Sequence, residues 1–448
     1  MTKAAFTTLG CRLNQAESDA MAEELIGRGV SIVTPDDSPD LVVVNTCTVT
    51  REATKASRMA IRRATRAHPD AKVVVVGCYA VSDRSEVEAI EGVSAVLGND
   101  EKEDLLGALQ HEPGVAPLLQ IGFAPRRVEP ESPQIRVRAN LKAQTGCDEW
   151  CSFCIIPTTR GPLRSMDEDR LLQEARARVA AGARELVLTG VHLGKYAYDR
   201  GGDEAELVGL FRRLLAIDGV RRLRLSSILS RHLTPDLLHF MAGEPGVCRY
   251  LHVPLQSGDD RVLAEMSRPY RRADYIEAVE RAKEALPGLA LATDIIVGFP
   301  GEDDAAFDRT CEVVERLQYS KLHVFRYSAR PGTAAAERKD DVPPAIKKAR
   351  SKRLIDLGNT IRRRFLEDHL VGPMEVLVED ERVVDGASIC SGQTDDHVRV
   401  WFEGAGLLGQ IVDVQGEQIR ADGIRGHLLG ASSDNRSDRL IAPLGRKG

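Results

Sequence analysis

The feature of this sequence that most restricts its fold is a cluster of three cysteines, Cys147, Cys151 and Cys154, in the segment GCDEWCSFC. The C-x3-C-x2-C spacing allows three thiolates of one loop to converge on a single iron–sulfur cluster. A tetrahedral zinc site would need a fourth ligand, and no further cysteine or histidine lies within a few residues. Three ligands to a four-iron cluster leave one iron open to a small molecule. The alternatives are a zinc knuckle with a distant fourth ligand, or three buried thiols.

The segment around this cluster, from residue 133 to residue 365, alternates short apolar runs with helical patterns. Six repeated β/α units predict a partial barrel, with its active site at the C-terminal ends of the strands. The cysteine loop follows the first predicted strand and therefore falls on that face. The predicted strands are 135–141, 185–189, 222–226, 250–254, 291–297 and 321–327, and predicted helices include 168–181, 206–216 and 303–317.

The N-terminal segment, residues 1–118, also alternates strands and helices. Residues 6–9, 41–44 and 73–76 form short apolar runs, and the last is VVVV, as in a parallel strand covered on both faces. Apolar residues from Leu13 to Leu25 recur at helical spacing, and Gly27 and Gly29 end that helix. This alternation predicts an open parallel α/β sheet. A stretch of low periodicity, 113–133, is predicted to be a linker.

The C-terminal segment, residues 366–430, is short and rich in predicted strands. MEVLVED, HVRVWFE and LLGQIVDVQ alternate apolar and polar residues and are separated by turn residues. We expect a small β-barrel of the kind that binds oligonucleotides. Residues 431–448 are polar and are predicted to form a loose tail. The fold class is therefore α/β, with a parallel sheet, a partial barrel and a terminal β-barrel in sequence.

Three further cysteines, Cys11, Cys47 and Cys78, are far apart in sequence but follow three successive predicted strands, in TTLGC, VVVNTC and VVVVGC. The C-terminal ends of parallel strands share one edge of a sheet, so these thiols can come within one cluster's width. Gly10 and Gly77 precede two of them and permit a sharp turn. The alternative is three buried thiols. Cys248, Cys311 and Cys390 have no local partner and are predicted to be buried.

Composition narrows the class of protein. The 448 residues contain 61 Lys+Arg and 67 Asp+Glu, which gives a net charge of −6 and argues against a globally basic nucleic-acid binder. No apolar run approaches the roughly 18 residues of a membrane span, and the N-terminus shows no apolar signal core. A cytoplasmic protein without a membrane partner is expected, in which nine cysteines are more typical of metal binding than of disulfides.

Several segments resemble one enzyme family over nearly the whole chain. CDEWCSFCIIPTTRGPLRS is similar to the motif of radical S-adenosylmethionine enzymes, and TLGCRLNQAES, VVNTCTVTREATKAS and VVVGCYA are similar to the N-terminal domain of the methylthiotransferases. The C-terminal β-domain resembles their TRAM domain, which is implicated in RNA binding. The resemblance implies S-adenosylmethionine and two [4Fe–4S] clusters. Cys147, Cys151 and Cys154 would hold the radical cluster, and Cys11, Cys47 and Cys78 the auxiliary cluster.

The resemblance also implies a reaction. A 5′-deoxyadenosyl radical would abstract hydrogen from an adenine carbon, which then takes a methylthio group from the auxiliary cluster. TLGCRLNQ and LTGVHLGKY are most similar to the branch acting on threonylcarbamoyladenosine next to the anticodon of tRNA. PTTRG departs from the PYxRG pattern of the family. The expected partners are tRNA and a reducing flavodoxin or ferredoxin, but not DNA.

The sequence alone leaves four other functions open. Two are methylthiolation of isopentenyladenosine in tRNA and of an aspartate in a small-subunit ribosomal protein. The others are an iron–sulfur electron carrier, which needs no S-adenosylmethionine pocket, and an RNA-binding protein with structural clusters.

Polar and aromatic residues at the ends of the predicted barrel strands are candidate cofactor contacts, with a purely structural role as the alternative for each. His192 and Ser227 belong to the same loops. The candidates for cofactor binding are Thr189, Gly190, Ser226, Gln256, Asp294 and Phe325.

Two basic stretches stand out against the acidic total, 51–66 with six Lys/Arg and 347–364 with eight. Such stretches can contact phosphates, and the alternative is a solvated helix face. The second stretch runs into the predicted RNA-binding domain, and Trp401 and Phe402 there could stack on bases or lie in the core. The predicted RNA-binding residues are Lys347, Lys348, Arg350, Arg362, Arg363 and Arg364.

Overall fold

The structure is a computed structural model that describes residues 2–112, 115–116, 136–421 and 423–431. Within these residues it confirms the predicted fold class, because a parallel sheet, a partial β/α barrel and a closed small β-barrel follow one another. Most of the predicted linker and the predicted tail after residue 431 lie outside the described residues. The exact domain limits stay a prediction. Within the described residues, no helix is both long enough and apolar enough to cross a membrane.

The N-terminal sheet has five parallel strands in the order β2-β1-β3-β4-β5. Successive residues of its central strands alternate between two apolar clusters, one on each face of the sheet. Both faces are therefore covered by helices, which explains why the VVVV run is buried throughout. The strands are β1 (Lys3–Thr8), β2 (Ser31–Ile32), β3 (Leu41–Thr46), β4 (Lys72–Gly77) and β5 (Val93–Leu97), and the helices are Arg12–Gly27, Arg51–Ala67, Cys78–Ser82, Arg84–Glu88 and Leu105–Gln110.

The central region contains six parallel strands close to the six predicted ones. They form two three-stranded sheets, β10-β9-β6 and β11-β12-β13, and a parallel bridge links Leu223 of the first sheet to Val247, just before the second sheet begins. No ladder pairs β6 with β13 among the described residues, so the barrel is open on that side. The strands are β6 (Arg138–Lys142), β9 (Glu185–Thr189), β10 (Arg222–Leu225), β11 (Tyr250–His252), β12 (Ala290–Val297) and β13 (Lys321–Arg326), with a separate ribbon of β7 (Gln144–Thr145) and β8 (Arg164–Ser165).

Helices follow the strands of the partial barrel and bury their apolar faces against it. Leu188, Phe211 and Leu251 belong to one continuous core cluster between the strands and these helices. Their packing fixes the strand ends, where the loops that carry the site begin. The helices are Ile156–Arg160, Glu168–Ala180, Glu204–Leu215, Pro235–Gly243, Asp260–Glu265, Arg272–Ala285, Asp304–Leu317 and Pro344–Asp368.

The C-terminal barrel closes in the order β14-β15-β16-β18-β17. Three of its strands were predicted, whereas ASICSGQ and GIRGHLLGA were not, because small residues interrupt their apolar alternation. Phe402 lies in the barrel core, and Trp401 is half-buried against Gly423. The strands are β14 (Pro373–Val384), β15 (Ala387–Gln393), β16 (Arg399–Glu403), β17 (Ile411–Arg420) and β18 (Gly423–Ala431).

A loop of this barrel closes the opposite end of the partial barrel from the cysteine loop. Arg222, at the start of β10, donates to the Gln393 carbonyl at 2.9 Å, and Arg224 donates to the Thr394 carbonyl at 3.1 Å. The ring of His397 lies 2.9 Å from the guanidinium of Arg12, the residue after Cys11. The C-terminal barrel therefore contacts the partial barrel near the N-terminal ends of its strands and the N-terminal region at the start of the helix Arg12–Gly27.

Candidate active site

The loop after β6 brings Cys147, Cys151 and Cys154 to the C-terminal ends of the barrel strands, where they line one cavity of about 210 Å³. Burial raises the pKa of the Cys147 thiol to about 11 and that of the Cys154 thiol to about 12. A buried thiolate needs a nearby positive charge or a metal. Arg268 supplies one such charge, because its Nη1 donates to the Cys151 sulfur at 3.2 Å.

The cavity also contains buried polar atoms that make no hydrogen bond within the described structure. They include the side-chain carbonyl oxygen of Gln256, one guanidinium nitrogen of Arg268 and both ring nitrogens of His192. Leaving such groups unpaired costs free energy, so native proteins rarely do so without a ligand. Burial lowers the pKa of His192 to about 4, so its ring is neutral at neutral pH. The cavity is therefore suited to a polar ligand that both donates and accepts hydrogen bonds.

The fold brings a histidine close to the cysteine loop, which the local spacing alone could not show. One ligand atom each from Cys147, Asp148 and His192 lies within 4.8 Å of the others, close enough for a single metal ion. The three thiols, however, also interact electrostatically with one another, since Cys151 and Cys147 both raise the pKa of Cys154. Both a mononuclear ion and a multi-iron cluster are therefore compatible with this loop on geometry alone.

The predicted cofactor contacts divide between the cavity and its surroundings. Gln256 and Asp294 line the cavity. Ser226 has a buried hydroxyl with no hydrogen-bond partner among the described residues, and its neighbour Ser227 lines the cavity. Gln256 adopts a left-handed φ of 65°, which is uncommon for a non-glycine residue and is typical of functional sites.

Thr189, Gly190 and Phe325 are not among the residues that line this cavity. Thr189 is buried at the end of β9, where its carbonyl accepts from the Ala143 N–H. Gly190 packs against the Gln144 side chain, and Phe325 is 40% exposed at the end of β13. The loop after β9 instead contributes His192, whose N–H donates to the Gln144 side chain at 2.7 Å.

The second cysteine triad lies at the C-terminal ends of three adjacent strands, β1, β3 and β4. Gly10 precedes Cys11 with φ of 101°, and a Cβ at this position would lie 3.0 Å from the Cys47 sulfur. Gly77 precedes Cys78 with φ of 98°, and a Cβ there would clash with the Thr46 backbone. Burial, together with the neighbouring Cys78 and Cys11, raises the pKa of the Cys47 thiol to about 11. The structure thus brings together three thiols that are up to 67 positions apart.

Asn99 connects the two triads. Its amide donates to the Thr159 carbonyl at 2.6 Å and faces the Cys78 sulfur at 3.7 Å. Thr159 belongs to the short helix Ile156–Arg160, which begins two residues after Cys154. The same side chain therefore touches a thiol of one triad and the helix that leads out of the other.

Comparison with known proteins identifies the family. Residues 3–98 match the Uncharacterized protein family UPF0004, and residues 141–314 match the Radical SAM superfamily. The threonylcarbamoyladenosine tRNA methylthiotransferase MtaB of Bacillus subtilis (strain 168) is 35% identical over 429 residues, covering 93% of this chain and 94% of that protein. The tRNA-2-methylthio-N(6)-dimethylallyladenosine synthase of Sorangium cellulosum (strain So ce56) is 36% identical over 451 residues, covering 92% and 91%.

This chain belongs to the radical S-adenosylmethionine methylthiotransferases. Its fold also resembles the radical S-adenosylmethionine methyltransferase TsrM of Kitasatospora setae, with a TM-score of 0.54, 17% identity and coverage of 75% and 77% of the two chains. Membership implies S-adenosylmethionine and a [4Fe–4S] cluster. The triad of Cys147, Cys151 and Cys154 fits the cluster, and the unpaired polar atoms beside it fit the amino acid part of the cofactor.

This methylthiotransferase contains a buried ionic cluster that was not predicted from the sequence. Lys102 lies 2.6 Å from Glu17, and Arg160 donates to the same carboxylate at 2.8 Å and to the Asn14 side chain at 2.5 Å. Burial alone would raise the pKa of Glu17, but the two cations hold it well below its ordinary value. Two cations and one carboxylate leave a net positive charge beside Cys11 and Cys78. Asn14, Glu17 and Arg160 lie in segments that carry the family resemblance, TLGCRLNQAES and PTTRG, whereas no sequence signal marked Lys102.

The second basic stretch of the methylthiotransferase corrects part of the predicted RNA-binding set. Lys347 is 6% exposed and lies 2.6 Å from Asp340, while Arg350 is 7% exposed and pairs with Glu302 at 2.8 Å. These placements contradict RNA contact by these two residues, since both are on the buried face of the helix Pro344–Asp368. Lys348, Arg363 and Arg364 are exposed and Arg362 is half-buried, so RNA contact by these four stays a prediction.

Proposed function

We propose that the protein is a tRNA methylthiotransferase that adds a methylthio group to the adenine ring of threonylcarbamoyladenosine next to the anticodon. Four relatives with 32–35% identity carry this activity in their names. The observation that carries the proposal is the second thiol triad beside the radical triad, connected to it through Asn99. Electron transfer alone needs neither an S-adenosylmethionine cavity at one triad nor a second triad connected to it.

In this proposal the triad of Cys147, Cys151 and Cys154 holds the radical [4Fe–4S] cluster, and the triad of Cys11, Cys47 and Cys78 holds a second one. When bound, the first cluster and S-adenosylmethionine supply a carbon-centred radical that removes hydrogen from a C–H bond too weakly acidic for acid–base catalysis.

The residues of the chain orient the reactants and control their charge. Gln256 and Asp294 are placed to bind polar groups of S-adenosylmethionine, and Arg268 offsets the negative charge of the thiolate at Cys151. Lys102 and Arg160 do the same beside Cys11 and Cys78. Because both sites have a cation inside the protein, neither depends on solvent alone to offset its thiolates.

The second candidate substrate is the dimethylallyl (isopentenyl) form of the same adenosine. The relative from Sorangium cellulosum, whose name specifies that nucleoside, is 36% identical, so overall identity does not separate the two. The nucleosides differ in charge, because the threonyl group adds a carboxylate and the dimethylallyl group is apolar.

Reconstituted protein should be incubated with S-adenosylmethionine, a reduced flavodoxin or ferredoxin, and tRNA bearing either nucleoside. We expect mass spectrometry of the digested tRNA to show a methylthio group on threonylcarbamoyladenosine. Methylthiolation of the dimethylallyl form alone would select the second candidate, and product on neither tRNA would contradict a tRNA substrate.

A further inference from the structure

The helix Arg51–Ala67 carries an exposed basic stripe that the site described above does not use. At 3.6 residues per turn its four members fall within about 60° of one another around the helix axis. The buried residues Ser57, Ile61 and Ala64 lie on the opposite side, so the stripe faces solvent. The basic stripe consists of Arg51, Lys55, Arg62 and Arg66.

The cations of the basic stripe are not offset by neighbouring acids. In the described part of the chain, no carboxylate lies within ion-pair distance of any of the four, whereas Arg58 on the same helix pairs with Glu86 at 2.5 Å. On other helices, exposed cations are commonly paired, as Lys352 is with Asp356 and Arg353 with Asp308. In a protein of net charge −6, an unmatched row of cations creates a local positive potential.

The helix that carries the basic stripe contacts the second triad directly through its buried face. Ser57, on the buried face of the helix, accepts from the Cys47 N–H at 3.0 Å and donates to the Cys47 carbonyl at 2.8 Å. The helix begins four residues after Cys47, and Thr50 caps its N-terminus. At 1.5 Å per residue, the stripe extends from there over about 22 Å.

We propose that the basic stripe binds the sugar–phosphate backbone of the tRNA substrate and so holds it beside the second triad. This inference rests on the proposed function, which supplies the tRNA. Four cations in a row of about 22 Å can meet several successive phosphates, because a nucleic-acid strand carries one about every 3.4 Å of duplex axis. Contacts of this kind fix position and carry no sequence information.

An acidic electron-donor protein is the other partner that a row of cations would attract. RNA is favoured because the stripe starts beside Cys47, in the triad that must meet the nucleobase. The radical triad, which must receive the electron, is built on a different strand and loop.

The test measures binding of an unmodified tRNA transcript to the full-length protein between about 50 and 200 mM salt. The stripe variant is Lys55→Gln/Arg62→Gln/Arg66→Gln. The matched control is Arg261→Gln/Arg281→Gln/Arg316→Gln, which removes the same charge from exposed cations that lie outside both basic stretches and already have carboxylate partners. Cleavage of S-adenosylmethionine without RNA shows that each variant is folded and loaded.

We expect the stripe variant to bind tRNA at least tenfold more weakly than the control. Its plot of log affinity against log salt should be shallower by about 2 to 3, which corresponds to three lost phosphate contacts. Equal weakening in both variants would overturn the proposal. So would a stripe variant that binds tRNA normally but accepts electrons slowly from reduced flavodoxin. Wild-type protein that binds no tRNA would contradict the proposed function itself. Normal wild-type binding that the stripe substitutions leave unchanged would contradict only the proposal that the stripe binds tRNA.

Discussion

At the scale of single residues, the contacts that join the two triads pair side chains that are far apart in the sequence. Asn99 lies 60 positions from Thr159, and Glu17 lies 143 positions from Arg160. Each is buried, so each must find a partner inside the protein. Their geometry makes the position of one triad depend on the other.

Replacing Asn99 by Ala should uncouple the two triads. The Thr159 carbonyl would lose its donor, which costs about 1–3 kcal/mol for a buried group. We expect S-adenosylmethionine cleavage to continue while methylthiolated nucleoside per 5′-deoxyadenosine falls severalfold. The exposed Asn359→Ala is the control. An unchanged ratio in Asn99→Ala would show that the hydrogen bond does not couple the sites.

Trp150 offers a direct reporter of the radical triad. It is 72% exposed between Cys147 and Cys151, and the chain has only one other tryptophan, Trp401. In a Trp401→Phe background, loading with iron and sulfide should quench the fluorescence of Trp150, since a cluster would form within its own loop. Adding Cys151→Ala should remove the quenching, whereas adding Cys47→Ala should leave it. Quenching that survives Cys151→Ala would place the cluster elsewhere.

At the scale of secondary-structure elements, sequence patterns predicted the strands that a local run of apolar residues marks. The six strands of the partial barrel were predicted to within a few residues, because each is a short apolar run followed by a helix. Strand β15 and strand β18 were missed, since Gly392, Gly426 and similar small residues replace the apolar positions. A Cβ at Gly392 would lie 2.0 Å from the Leu377 carbonyl, so close strand approach decides the residue there.

The cysteines of the candidate site were also predictable from local sequence patterns, whereas the contacts around them were not. Both cysteine triads follow strands, and this position is visible in sequence. The pairing of Glu17 with Lys102 was not, because the two lie 85 positions apart and meet only when distant segments pack. Lys347 and Arg350 were misassigned, since a run of charges conceals a helix face whose cations are buried in ion pairs.

His369 makes the junction between the long helix and the C-terminal barrel sensitive to pH. Its Nε2 lies 2.5 Å from the Asp396 carboxylate. Burial alone would lower the pKa of His369, but Asp396 and the Phe365 carbonyl raise it above 6.5. The raised pKa means that the stabilisation is complete below the unfolded value and is lost as pH rises through the folded one.

We therefore expect His369→Gln to destabilise the protein by about 1–2 kcal/mol at about pH 6 and by much less at about pH 8.5. Urea unfolding of both proteins at the two pH values measures the difference. The comparison with wild type is needed because burial lowers the pKa values of His192 and His232, whose contributions change in the opposite direction. A deficit that grows with pH would contradict the assignment.

At the scale of the whole molecule, two sites on different regions must each hold iron if the proposed reaction is right. Anaerobic protein with Cys11, Cys47 and Cys78 all replaced by Ala should lose about half of its iron and sulfide. It should still cleave S-adenosylmethionine, because the radical triad is intact, but should form no methylthiolated nucleoside. A matched Cys248→Ala/Cys311→Ala/Cys390→Ala protein should keep its full iron content. Full iron in the first variant would disprove a cluster at that triad.

The contact of the loop before β16 with the strand starts has a consequence for any shortened form of the protein. Arg222 and Arg224 are buried and donate to carbonyls of that loop, and Arg12 meets the His397 ring. Cutting the chain after residue 370 would leave the guanidinium groups of these three arginines without these partners. The C-terminal barrel therefore cannot be removed without cost to the rest of the protein. A shortened protein would lose solubility or stability before its affinity for RNA could be measured.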